Sequence, residues 1–210
     1  VSLILDKQNN KQPEKKSNPV RTAVEFIVLL VVIMFGTYFI VNNVVSKDIV
    51  SGTSMQPTLE DGDRLWSLRH RGIKRNDIVV IHAPDREGEL YIKRVIGMPG
   101  DTVESKNDVL YVNGKKQAQP YLKSSFMKTE IASWAQQQNV DPSSIKFTGD
   151  FNIATLPSTK RKTVPAGHYF VMGDNRLVSH DGRDFGFISK SKVQSVVAWR
   201  YWPLNKMKFY

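Results

Sequence analysis

Hydroxyls crowd the stretch SGTSMQPTL, Ser51 to Leu59, where Ser51, Thr53 and Ser54 surround a glycine shortly before a proline and Thr58 follows it. A serine hydroxyl barely ionises at neutral pH, so it becomes a nucleophile only beside a base. The chain has no cysteine, which excludes thiol catalysis, disulfides and thiolate zinc sites. Its four histidines, His70, His82, His168 and His180, are scattered, and neither a metal site nor a cofactor is read from their spacing. A Ser-His-Asp arrangement is open on composition, yet no spacing singles out one histidine. The other source of a base is LYIKRVIGMPGD, Leu90 to Asp101. Read as a strand, it places Tyr91, Lys93 and Val95 on one face and Arg94 on the other. If the first face is buried, desolvation lowers the lysine pKa, and a neutral Lys93 can take a proton from a serine. Arg94 cannot, because a guanidinium stays protonated. If the face is open to solvent, Lys93 is an ordinary strand charge. Alternation alone leaves both readings standing.

The elements that must position these groups follow from hydrophobic pattern. Upstream, AVEFIVLLVVIMFGTYFIVNNVV runs from Ala23 to Val45, and its centre, Phe26 to Val41, carries no charge. A helix of that length spans about 35 Å, enough for a bilayer core of about 30 Å. A cleaved signal peptide would have a shorter apolar run and a small-x-small site, and VNNVVSKD offers none. A buried core helix would show a polar face, and this stretch shows none. The expectation is a transmembrane helix over 23–45, behind a disordered basic tail over 1–22. That tail carries Lys7, Lys11, Lys15, Lys16 and Arg21 against Asp6 and Glu14, which predicts a cytoplasmic N-terminus and an extracytoplasmic remainder.

After the apolar run the pattern turns to strands rich in Val, Ile and aromatics: 77–83, 90–97, 108–117, 167–174 and 195–203. Asn113-Gly114 is a type I′ hairpin signal, and Pro99-Gly100 and 165–167 mark further turns. One short helix is expected near Glu130–Asn139. The domain therefore reads as mainly antiparallel β, in two parts over 46–120 and 164–210, with a more polar inserted cap over 121–163. Thirty basic residues against 20 acidic give a net charge of +10, which suits an anionic partner such as nucleic acid or a membrane surface, or simply a soluble basic exterior. The closing segment WRYWPLNKMKFY, Trp199 to Tyr210, mixes aromatics with cations, as a membrane interface or a final core strand with a loose end would.

Taken together, SGTSMQPTL, YIKRVIGMPGD and GDNRLVSHDGRDFG, in that order behind an apolar helix, resemble the bacterial type I signal peptidases, in their smaller single-anchor form. The resemblance runs from the apolar helix to Ile188. It implies a membrane-bound serine endopeptidase of the signal peptidase β fold, working without a cofactor. It implies that Ser54, before Met and x-Pro-Thr, is the nucleophile and that Lys93 is the general base. Ser179 would hydrogen-bond the lysine, and Asp181 and Arg183 would pair behind it. Gly52 stands where some members carry a serine that helps hold the oxyanion, so backbone donors such as the Ser54 N–H would carry that task. Leu177-Val178 and Gly182 also depart from the family pattern, without expected loss of activity. The implied partners are secretory preproteins cut after small-x-small (Ala-x-Ala) sites, membrane lipid and nearby export machinery, and not nucleic acid. Met55, Ile92 and Val95 are the expected walls of the substrate pockets. Two rivals are a self-cleaving Ser-Lys repressor protease, which would carry a helix-turn-helix domain in place of the apolar run, and a silent, scaffold-type homologue, which would lack Ser54 or Lys93.

Overall fold

The computed structural model describes residues 18–210, so most of the tail expected over 1–22 lies outside the described residues. The chain divides into two units, one ending at Val41 and one spanning Asn42–Tyr210. In the first, helix α1 covers Pro19–Asn43, with Pro at its first position, where the missing N–H costs no intrahelical bond. Every residue of α1 is exposed and its length and apolar composition meet the requirement for crossing a membrane.

In the second unit twelve strands follow in chain order: β1 (Val45–Ile49), β2 (Arg64–Leu68), β3 (Ile78–His82), β4 (Leu90–Gly97), β5 (Val103–Lys106), β6 (Val109–Val112), β7 (Lys115–Lys116), β8 (Phe151–Asn152), β9 (His168–Met172), β10 (Ile188–Ser189), β11 (Val193–Trp202) and β12 (Lys208–Phe209). Helix α2 (Ser124–Gln138) precedes β8, and the single-turn α3 (Gly182–Phe185) precedes β10. Among the described residues the strands form two antiparallel sheets. The larger runs β1-β2-β11-β3-β4-β9-β10, with β12 on β11; the smaller runs β7-β6-β5-β8. The fold is thus mainly antiparallel β, as the alternating pattern predicts.

Two hairpins of the small sheet show how sequence sets register. Asn113 and Gly114 both have positive φ, 54° and 72°, as a type I′ turn requires. Asn107 and Asp108 make a second turn with φ 50° and 62°, at a dipeptide tolerant of the left-handed region. The segment 121–163 does more than cover the sheets. Phe151 and Asn152 pair with β5, and Ile153 is fully buried with Ile96, Val103 and Phe170 in the core under the small sheet. The helix within it starts six residues earlier than its apolar pattern suggests.

Two further core clusters flank the strand of interest. Met55, Leu59, Ile78, Val80 and Val197 pack together, and Val79, Ile81, Val95, Tyr169 and Val171 form the other. Both faces of β4 are therefore covered from Lys93 onward, where every residue to Gly97 is buried. The closing segment resolves into β11, which lies between β2 and β3, and a short return strand that stacks Phe209 on Trp199, ring centroids 5.3 Å apart.

Candidate active site

The turn that follows β1 is fixed from below. Met55 and Leu59 are buried in the core, and the N–H groups of Thr58 and Leu59 both donate to the Met55 carbonyl. Ser54, one residue before the anchor, is left half-buried at the rim. Its carbonyl accepts the Asn175 N–H at 3.0 Å, which ties the turn to the loop after β9. Gly52 has φ +84°, a region that disfavours side chains, and its N–H donates to Asp61 Oδ1 at 2.7 Å. The Ser54 N–H has no hydrogen-bond acceptor among the described residues.

Strand β4 brings Lys93 to this rim. Lys93 Nζ donates to Ser54 Oγ at 3.1 Å across 39 positions of sequence. The lysine is only 4% exposed, stands opposite Val79 on β3, and carries its ammonium 5.4 Å from the Tyr91 ring centre. Burial is the largest influence on its pKa and lowers it; the Asp181 carboxylate opposes and the Arg183 guanidinium assists, leaving it at about 8. A meaningful fraction is then neutral near physiological pH. In that form the contact runs the other way, with the serine hydroxyl donating to the amine, which is the first step of proton abstraction.

The loop Gly173–Arg183 closes the back of the site. The Asp181 side chain accepts the Gly173 and Arg183 N–H groups, and it pairs with Arg183 through Nε and Nη2, each at 2.9 Å. Burial pushes its carboxyl pKa up, but the Arg183 hydrogen bonds and charge outweigh this and hold it below the usual range. Asp181 also caps α3, whose Asp184 returns a bond to the Asp181 N–H. Ser179 is buried, and its Oγ has no hydrogen-bond partner among the described residues, so the bond to Lys93 implied by resemblance is not formed in this arrangement. Two glycines are fixed by contact. A Cβ on Gly173 would meet Ser179 Oγ at 2.1 Å and the Ser54 carbonyl oxygen at 2.6 Å; one on Gly182 would meet the Val171 carbonyl oxygen at 2.8 Å. The glycine at 182 therefore has a steric reason.

A recess of about 100 Å³ opens in front of Ser54 and Lys93. Met55 and Ile92 line it, with Ile49, Leu90 and Tyr91 completing much of the wall. Val95, expected as a third wall, is fully buried among Val79, Ile81 and Val171 and does not reach the recess. The reason is strand pairing: from Arg94 onward β4 is hydrogen-bonded to β9, with Val95 opposite Val171, so Val95 lies inside the sheet and away from the open edge beside Ser54. Residues Leu90–Lys93 pair with β3 but not with β9, whose register begins at Arg94, so one edge of β4 has no strand partner among the described residues beside Ser54. Sequence reasoning did not single out Tyr91, Gly173, Asp174 or Asn175 as parts of the site. Tyr91 was placed only on the Lys93 face, and Gly173, Asp174 and Asn175 stood within the GDNRLVSHDGRDFG motif, where the run reads equally as a turn.

A hydroxyl, a buried amine and an uncommitted backbone N–H thus stand together, the groups that acyl transfer through a serine requires. Comparison with known proteins agrees in class: residues 20–202 match the family described as signal peptidase, peptidase S26, and the chain belongs to that family. It is 38% identical over 193 residues to a signal peptidase IB from Staphylococcus aureus, with 89% of each chain covered. It is 39% identical over 205 residues to a signal peptidase I from Bacillus caldolyticus, covering 95% of this chain and 98% of that one. A solved signal peptidase I from Enterococcus faecalis is 39% identical, with a TM-score of 0.48 over 60% of this chain and 97% of that chain. Membership makes the chain a serine endopeptidase, a hydrolase of peptide bonds.

Proposed function

We propose that this protein removes signal peptides from exported preproteins, using Ser54 as nucleophile and Lys93 as general base. The 3.1 Å contact between Ser54 Oγ and a buried Lys93 carries this reading. Neutral Lys93 takes the Ser54 proton as Oγ attacks the scissile carbonyl. The Ser54 N–H, uncommitted within the described structure, supports the oxyanion. The protonated lysine then gives its proton to the leaving amine, and water activated by the same amine hydrolyses the acyl-enzyme.

The substrate lies extended along the unpaired edge of Leu90–Lys93, its backbone adding to the sheet. The small recess walled by Met55 and Ile92 admits only small side chains next to the cut, which favours Ala-x-Ala sites. Asp181 and Arg183 position the loop behind the lysine, and Ser179 serves the same wall. Helix α1 spans the membrane with its N-terminus in the cytoplasm, and the β unit from about residue 46 works outside it. Enzyme and substrate then share one surface, close to the export machinery, which raises their effective concentration.

The test uses the full chain in detergent and a preprotein with an Ala-x-Ala site. Wild type should cut after that site, and folded Ser54→Ala and Lys93→Met should each lose about 10³–10⁶ in kcat/KM. Normal cutting by Lys93→Met would overturn the base assignment. Cutting at another type of site would overturn the recess reading.

A further inference from the structure

On another part of the β unit lies a hollow of about 400 Å³ whose walls include His70, Arg71, Tyr169, Lys190, Gln194 and Ser195. It differs from the active-site recess in charge. Arg71 and Lys190 make no ion pair among the described residues, and no acidic side chain lines the walls. Two uncompensated cations facing one concavity repel each other, so the hollow is a ready place for an anion.

Chain connectivity supplies the guest. Asn43 ends α1 and Val44 follows it directly; the Val44 carbonyl accepts the Arg69 N–H at 2.8 Å. Val45 pairs with Leu68, the residue at the lip of the hollow. Gln194, in the hollow wall, donates to Ser46 Oγ at 3.2 Å. The turn carrying His70 and Arg71 is thus held against the first residues to leave the helix. If α1 spans a bilayer, which this inference takes from the proposed function, that turn sits at headgroup level.

We propose that the hollow binds the phosphodiester headgroup of an anionic membrane lipid, with Arg71 and Lys190 as its charge partners. Arg71 suits this role because a guanidinium fork matches phosphate oxygens, and Lys190 adds a point charge. The site gives the β unit a defined lipid contact that is separate from the peptidase chemistry.

Native mass spectrometry of the full chain in maltoside detergent tests this directly. Three probes are titrated: dihexanoyl phosphatidylglycerol, dihexanoyl phosphatidylcholine and inorganic phosphate. Wild type should retain the phosphatidylglycerol about tenfold more tightly than either of the others. Arg71→Gln with Lys190→Gln should lose about tenfold of that affinity, while Lys115→Gln with Lys116→Gln, two exposed lysines on β7, should lose none. Equal phosphatidylglycerol binding by wild type and the Arg71/Lys190 variant would overturn the site. Inorganic phosphate binding as tightly as the lipid and displacing it would overturn the lipid as its ligand. Preprotein cleavage by the same samples without anionic lipid should be unchanged by the Arg71/Lys190 variant, so a failed peptidase reading shows separately in the wild type.

Discussion

Lys93 and Arg94 are neighbours on one strand, both buried cations, and they have opposite surroundings. Arg94 is fully compensated. Its Nε and Nη2 meet Asp174 Oδ1 and Oδ2 at 2.8 and 2.6 Å, its Nη1 donates to the Asn76 carbonyl, and it lies 3.9 Å from the Tyr121 ring centre. Among the described residues Lys93 has no carboxylate in contact; it meets a serine hydroxyl and an aromatic face. Burial disfavours charge at both positions. At Arg94 the Asp174 hydrogen bonds and charge overcome it and the pKa rises; at Lys93 nothing overcomes it and the pKa falls to about 8. A paired buried cation becomes a strut. An unpaired one becomes a base.

The difference can be broken from either side. The largest stability effect is expected on the strut. Asp174→Ala leaves a buried guanidinium without its partner and should lower unfolding free energy by about 3–5 kcal/mol in denaturant titration. The same change also frees Thr58, whose hydroxyl donates to Asp174 at 2.6 Å, so the nucleophile turn should loosen with it. Removing the unpaired cation should act in the opposite direction. The folded pKa of Lys93 lies below that of a free lysine, so its charged form is destabilising at neutral pH. Lys93→Met should therefore raise stability at pH 7 by about 2–3 kcal/mol while abolishing cleavage. In wild type the unfolded chain binds more protons than the folded one between about pH 8 and 10.5, so stability should climb across that window and the variant should lack the climb. The smallest effect is expected at the rim. Gly52→Ala places a side chain at φ +84° and should cost about 1 kcal/mol, read as a lowered melting temperature.

Legibility in the sequence follows the same division. The strands around Lys93 and the Asn113-Gly114 hairpin are written in local pattern, and all five expected strand segments hold strands in the fold. β1, β2 and β5 were not expected, because VSKDI, RLWSL and VESK mix charge with apolar residues and draw their order from tertiary pairing. Alternation correctly placed Tyr91, Lys93 and Val95 on one face but could not tell that β9 begins to pair with the edge of β4 just past Lys93. That is why Val95 reads as a pocket wall and proves to be core. The approach of Ser54 to Lys93 was legible only through resemblance, since no local rule links residues 39 apart. The strut at Asp174 was not legible at all: an Asp in a Gly-Asp-Asn run is a turn residue until the fold sets Arg94 against it.

The pH dependence of kcat/KM for preprotein cleavage tests the base most directly, because it reports the ionisation of the free enzyme. With Lys93 as the base, the rate should rise about tenfold per pH unit on the acid side and level off through an apparent pKa of about 8. A limb centred near 6.5, the ordinary range of a histidine, or a rate flat from pH 6 to 9, would contradict the claim that a buried, unpaired lysine activates Ser54.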